Sequence, residues 1–329
     1  MQNESDLIES LIRTAGRRAD PPEESYRLVL AAATAAFRAK TARRRERQWA
    51  LWASAAAVMV FAIALMFQWT PPSAERGELA RVARVIGNAE QATGDIWQPL
   101  GATRTPLTMG MRLRTRAGGR VALALSDGGS LRLDAETEVM LDAPGRLYVR
   151  QGTVYVDSGA RPGTSRLEVV TPAGTARDIG TQFELQIAGA ALRLRVREGS
   201  VSIDRGGQSL TGGAGDQIAF DVLGVVSRDF IASNADAWQW AESIAPAPDM
   251  DGKPAADLIA WVARETGRRL SYVSPEVQQR AETVILHGNI RNLAPVAALE
   301  AMLATTDLEY ALRGDTMEIR NRDTPQLDP

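Results

Sequence analysis

The sequence predicts a multidomain membrane protein: short cytoplasmic helices, one transmembrane helix, a mainly-β outer domain built as a sandwich or β-roll, and a small C-terminal α/β domain. Three observations carry that prediction. A charge-free run of 27 residues separates Arg47 from Glu75, apolar residues alternate with period two from Leu79 to about Phe230, and helical spacing returns after the Pro-rich break Ala245–Asp249. The segments so defined are 1–48, 49–69, 75–240 and 250–321.

Composition narrows the chemistry. The chain has 329 residues, 45% of them hydrophobic, enough for more than one core. With 38 Lys plus Arg against 40 Asp plus Glu there is no global basic field, and no direct nucleic-acid binding is expected. There is no cysteine and a single histidine, His287, so thiolate, disulfide and Cys-ligated metal chemistry are excluded and the usual general base is nearly so. A lone imidazole at the end of a strand reads as a hydrogen-bonded surface or turn residue. The sequence has no Walker A loop, no G-x-G-x-x-G and no G-x-S-x-G, and Gly212-Gly213-Ala214-Gly215 lacks the Lys and helix that a phosphate cradle needs. No catalytic, cofactor-binding or metal-ligating residue is expected. The chain does not read as an enzyme.

The span comes first because it divides the rest. Trp49 to Trp69 is a 21-residue apolar run, roughly 32 Å as a helix, against a hydrocarbon core of about 30 Å. Trp49, Trp52 and Trp69 stand at headgroup level and Pro71-Pro72 ends the helix. An all-round apolar stretch fits a buried core helix poorly, and a cleaved secretory signal would not begin after a charge-rich segment of 48 residues. Six basic side chains, Arg38, Lys40, Arg43, Arg44, Arg45 and Arg47, precede the span, against Arg76, Arg81 and Arg84 after it. That bias puts the N-terminus in the cytoplasm. Residues 1–48 carry ten basic and seven acidic groups, leaving 28 and 33 to the remainder: basic inside, acidic outside.

The cytoplasmic segment reads as two short amphipathic helices. Leu7, Ile8, Leu11 and Ile12 share one face; Tyr26, Leu30, Ala33 and Phe37 share another, behind an Asp20-Pro21-Pro22-Glu23 start signal. So few large apolar residues cannot close a core. The stripe Tyr26, Leu30, Ala33 and Phe37 is therefore the candidate partner-binding surface. The alternative is a partly disordered tail that serves insertion alone.

In the β domain, Val121–Leu125 and Ser130–Leu133 flank Asp127-Gly128-Gly129, a hairpin signal. Leu147–Val156 is echoed by Leu194–Ile203, apolar for apolar and Gly152 for Gly199, which reads as one hairpin design used twice. Between the copies, Thr171-Pro172-Ala173-Gly174 reads as a turn, Gly180 in Asp178-Ile179-Gly180-Thr181 as a close approach or bulge, and Phe183 as the anchor of the next strand. Asp178 with Thr181 is the one pair a catalytic reading could use, and it has no nearby base.

These residues, with Glu198-Gly199 in Val196–Val201 and Gly212–Asp216, resemble the signature of FecR-type regulators over roughly 105–220. The motif residues are Thr171, Pro172, Gly174, Asp178, Gly180, Thr181, Phe183, Glu198 and Gly199. The resemblance implies a single-pass inner-membrane regulator of an extracytoplasmic-function sigma factor, an anti-sigma factor, with its β domain in the periplasm. No cofactor is implied. One departure is that the family's cytoplasmic segments contain tryptophan, and this chain has none before Trp49.

The last segment begins with Ala255–Thr266, helical, with Leu258 and Val262 on one face and Gly267 at its end. Leu270–Val273 and Thr283–Leu286 read as strands, Asn292 as the cap of a second helix through Ala304, and Leu308–Arg313 as pairing with Thr316–Arg320 across Gly314-Asp315. Over about 252–320 this is similar to the short N-terminal (STN) domain of secretins and TonB-dependent receptors. The resemblance implies binding of another envelope protein, such as a TonB-dependent receptor. Trp238 and Trp240 are placed to seal the junction between the two outer domains. Two functions remain open on the sequence: a transmembrane signalling regulator, and an envelope scaffold that binds glycan or an outer-membrane complex while the tail merely anchors.

Overall fold

The computed structural model describes residues 77–322 apart from 102–103, 160–166 and 179, and in the N-terminal segment Glu9, Arg13, Thr14, Glu24, Arg27 and residues 30–34. The chain divides into two compact units, 1–74 and 75–329. In the first, every described position is helical, where the 3.6-residue spacing predicts helix. Arg13 donates to Glu9 across one turn at 3.1 Å, and Leu30 and Ala33 are exposed. Tyr26, Phe37 and the run 49–69 lie outside the described residues. Among the described residues no helix is long and apolar enough to cross a membrane.

The second unit opens with two β layers. One runs in the order β4 (Pro106–Thr108), β1 (Glu78–Ile86), β6 (Arg120–Leu125), β7 (Ser130–Leu133), β9 (Arg146–Asp157), β12 (Gln182–Ala188), β13 (Ala191–Glu198), β16 (Asp216–Phe220) and β17 (Val226–Phe230). The other runs β3 (Ile96–Pro99), β2 (Ala89–Thr93), β5 (Arg112–Thr115), β8 (Glu138–Ala143), β9 again, β10 (Glu168–Thr171), β11 (Gly174–Asp178), β14 (Ser200–Arg205) and β15 (Gln208–Gly213). All these pairs are antiparallel except β9–β10. The long strand β9 belongs to both layers: Arg146 to Gln151 pair with β8, and Gly152 to Asp157 pair with β12.

Alternate residues of the two layers face each other and close one core. Leu123, Leu133, Val154, Val156, Phe183, Leu185 and Leu194 come from the first layer, and Leu113, Val139, Leu147, Val149, Val169, Val201 and Ile203 from the second. Burying side chains of this size contributes about 1.5–3 kcal/mol each. The hairpin expected at Asp127–Gly129 is present, joining β6 to β7 with Gly128 at φ 95°.

Neither copy of the Leu147–Val156 / Leu194–Ile203 repeat is a hairpin. Gly152 (φ 96°) lies within β9 where the chain passes from the second layer to the first; Gly199 (φ 76°) lies between β13 and β14, where it passes from the first to the second. Positive φ lets the chain change layer without breaking its extended course. The repeated unit is a corner, run in opposite senses.

Beyond the sheets come a 3₁₀ turn (Asp236–Trp238) and α1 (Gln239–Ser243), then β18 (Lys253–Pro254), α2 (Ala255–Glu265), β19 (Arg269–Tyr272), α3 (Pro275–Thr283), β20 (Ile285–Leu286), α4 (Pro295–Leu303), β21 (Leu308–Arg313) and β22 (Thr316–Asn321). β22 is central in a sheet of three, parallel to β19 and antiparallel to β21, while β18 pairs with β20. Leu258, Ile259, Val262, Leu299, Leu303, Met317 and Ile319 form its core. Three details differ from the sequence reading. Pro275–Thr283 is a helix, started by the Ser274 cap and a proline in the first turn; the expected strand Thr283–Leu286 shrinks to Ile285–Leu286 because Thr283 ends that helix; and the cap of α4 is Ala294, not Asn292, since Pro295 fixes the first turn.

Candidate functional site

The outer face of the first layer is not open to solvent at β9. Thr153 to Asp157 are buried throughout, because Val154 and Val156 enter the inter-sheet core while Tyr155 points the other way, against Trp238 and Ala241. Tyr155 meets both Trp238 and Trp240 edge-to-face, with centroids 6.0 and 6.5 Å apart. Trp238 is fully buried and donates Nε1–H to the Ala232 carbonyl at 2.9 Å; Trp240 donates to Glu184 Oε2 at 2.8 Å. The two rings pack on β9 from the segment that leads from the β layers to the α/β region, at the seam between them.

Around the rings stand three arginines that sequence reasoning did not single out. Arg132, from β7 and 0% exposed, donates to Glu265 Oε1 at 2.8 Å and to the Ala241 carbonyl at 2.9 Å, and lies 4.9 Å above the Tyr155 ring. Arg197, from β13, donates to the Ser233 carbonyl (2.6 Å), the Glu265 carbonyl (2.7 Å) and Glu242 Oε1 (2.6 Å), and packs 5.3 Å over Trp238. Arg264, at the end of α2, reaches back to Asp157 Oδ1 (2.5 Å) and Glu198 Oε2 (2.6 Å). At Gly267, just beyond, the Ser233 carbonyl and the Arg197 guanidinium leave no room for a Cβ.

The electrostatics are matched inside this seam. Burial works against the Arg132 charge, yet Glu265, Tyr155 and Asp157 hold its guanidinium above the ordinary value; Arg264 behaves alike through Asp157 and Glu198. Burial would raise the Asp157 carboxyl, but Arg264, the Gln182 amide and the Gly159 N–H outweigh it and keep it below the usual carboxylate range. Burial pushes the Tyr155 phenol up to about 12. Such an arrangement fixes two modules against each other. It offers no nucleophile paired with a base.

The motif residues lie on the β layers beside this seam. Thr171 accepts from Ala173 N–H (3.0 Å) and donates to the Gly174 carbonyl (2.8 Å), forming the β10–β11 turn with Pro172 exposed at its tip. Asp178 ends β11, backbone-paired with Val201. Gly180 (φ 72°) is the corner into β12, Thr181 is buried beside Ser158, whose hydroxyl accepts the Thr181 N–H at 2.7 Å, and Phe183 is wholly buried. Gly199 packs on Gly180, and Glu198 is the partner of Arg264. Residues 111–202 match the FecR protein family.

This FecR domain thus contains the corners at Gly152, Gly180 and Gly199 and the β9 strand. Two crystal structures of a "putative anti-sigma factor" from Parabacteroides distasonis ATCC 8503, at 2.50 and 1.65 Å, are similar to the chain at 16% identity, covering 64% of it and 98% of their own length, with TM-scores of 0.35 and 0.36. No curated protein matches. Leu30 and Ala33 of the expected partner-binding stripe are helical and exposed, apart from the FecR domain in the chain. His287 is exposed, with Nδ1 3.3 Å from Asp251 Oδ1.

The three seam arginines carry no distinguishing sequence signal: each lies in an ordinary alternating strand or at a helix end. Only the tryptophan pair pointed to the seam.

Proposed function

We propose that the chain is a non-enzymatic, single-pass transmembrane signalling regulator that controls an extracytoplasmic-function sigma factor in response to a periplasmic partner. The observation that carries this reading is the FecR domain at 111–202, downstream of a charge-free run with a basic cytoplasmic flank. On this reading the protein sits in the bacterial inner membrane, N-terminus inside. The STN-like segment 250–321 receives a periplasmic or outer-membrane protein such as a TonB-dependent receptor, and the stripe Tyr26, Leu30, Ala33 and Phe37 holds the sigma factor. The locked seam supports it physically, since a partner bound to the α/β region also bears on the FecR domain through Arg132, Arg197 and Arg264. A single helix transmits most simply by a change in association, cleavage or exposure of the tail.

The test is co-purification of the sigma factor with the full-length chain. Leu30→Asp with Phe37→Asp should abolish capture and leave membrane insertion intact, because burying either charge in an apolar groove costs several kcal/mol. A wild-type chain that captures no sigma factor, in cells where deleting residues 2–36 changes nothing, would replace the regulator by the envelope scaffold.

A further inference from the structure

The seam has one stretch where charge is not matched. A groove of about 540 Å³ runs between β1 and the loop before α4, lined by Arg81, Arg84, Arg104, Arg291, Asn289 and Asn292 among others, and no carboxylate lines it. Arg81 is neutralised by Glu78, which accepts two hydrogen bonds from it at 2.7 and 2.8 Å. Among the described residues Arg84, Arg104 and Arg291 have no carboxylate at ion-pair distance. Arg84 is half-buried and held in place by the Ser243 carbonyl (2.9 Å) and the Asn292 carbonyl (3.0 Å), both across the seam. Burial alone pushes its guanidinium down. That is the reverse of Arg132 and Arg264, whose carboxylate partners raise them. The Arg104 backbone is fixed too, in the left-handed region at φ 76°, with its N–H on the Val82 carbonyl at 2.7 Å, and its exposed side chain lines the groove.

Three like charges set along one concave surface repel one another and concentrate anions. Each retains unused N–H donors, because a guanidinium has five and Arg84 spends two on carbonyls. A carboxylate is satisfied by one bidentate guanidinium; a phosphate group has terminal oxygens enough for several. We propose that this groove binds a phosphate group, shared between Arg84 and Arg104 of the β domain and Arg291 of the α/β region, so that the ligand clamps the seam. The site is independent of the sigma-factor reading and goes beyond it. Its phosphate comes from a soluble phosphate compound or from a phospholipid headgroup, which the experiment separates.

Full-length protein in a neutral detergent is titrated by calorimetry with inorganic pyrophosphate and, separately, with dihexanoyl phosphatidylglycerol. Binding of either, with a rise in the unfolding temperature, is expected; pyrophosphate alone identifies a soluble source, the lipid alone a headgroup. The exposed pair Arg104→Gln and Arg291→Gln should each weaken binding roughly tenfold, the loss of one charge-assisted contact. Arg150→Gln, which changes net charge equally but lies elsewhere beside Glu138, should leave it unchanged. Unfolding in the absence of ligand confirms that the variants are intact. Failure of both probes to bind, or equal weakening by Arg150→Gln, overturns the site.

Discussion

Gly180 and Gly199 are stacked backbone to backbone: a Cβ added at Gly199 would lie 2.6 Å from the Gly180 carbonyl oxygen and 2.6 Å from the Thr181 methyl. Both glycines are at positive φ. The Asp178–Thr181 and Glu198-Gly199 motifs are thus two layer-changing corners in contact, and the motif is a packing solution.

Gly199→Ala should therefore destabilise the protein by at least about 2 kcal/mol, since the residue is at positive φ and a Cβ would meet the Gly180 carbonyl oxygen and the methyl of the buried Thr181. Gly77→Ala, at a position with open space around it, should stay within about 0.5 kcal/mol of wild type. Denaturant unfolding of the two variants side by side decides this. A Gly199→Ala protein as stable as Gly77→Ala would show that the corners can separate.

The Arg132–Glu265 pair is buried on both sides, so losing one partner strands the other. Arg132→Met or Glu265→Met alone should cost about 3–5 kcal/mol, and the double replacement Arg132→Met with Glu265→Met should recover much of it. A double-mutant cycle measures the coupling. Additive losses would mean that the two side chains act independently.

Asp157 gives the seam an acid dependence. Its folded-state pKa is lowered, so its contribution is complete above the unfolded value of about 3.9 and is lost as pH falls through the lower folded value. Unfolding midpoints followed from neutral pH to about pH 3 should fall. Asp157→Asn should start lower at neutral pH and fall less steeply. An unchanged acid slope in the variant would assign the loss to other carboxylates.

Topology is tested by reporter fusion. A reporter active only in the periplasm should work after Pro72 and at Pro329 and fail at Arg47. Exchanging Arg43, Arg44, Arg45 and Arg47 for Glu should weaken N-in insertion. Reversed reporter activities would refute the charge argument.

Alternation from Leu79 to about Phe230 marked the stretch that the strands from Glu78 to Phe230 occupy, because most of those strands bury alternate residues in the core between the layers. The Gly152/Gly199 repeat was visible, but its meaning was not. A glycine at positive φ between two extended runs serves a hairpin and a corner equally, and the difference lies in which distant strands pair with each run. The α3 helix escaped because only Val277 and Ala281 are buried on it, too thin a stripe for periodicity, although Ser274-Pro275 is a start signal. The seam arginines escaped for the opposite reason: Arg132 alternates with Leu131 and Leu133 as any solvent-facing residue would, and it is the helix arriving 133 residues later that buries it.

The membership of β9 in both layers makes this one strand the spine on which two incomplete halves depend. Every strand before it lies on one side and every strand after it on the other, so neither half has a finished sheet of its own. A chain interrupted after Asp157 would expose the full length of β9 as an unpaired edge in both layers at once, ready to pair with another copy. Truncations there should give aggregates rather than a smaller domain, and during synthesis the first half must wait for residues 168–188 before it is safe from its neighbours.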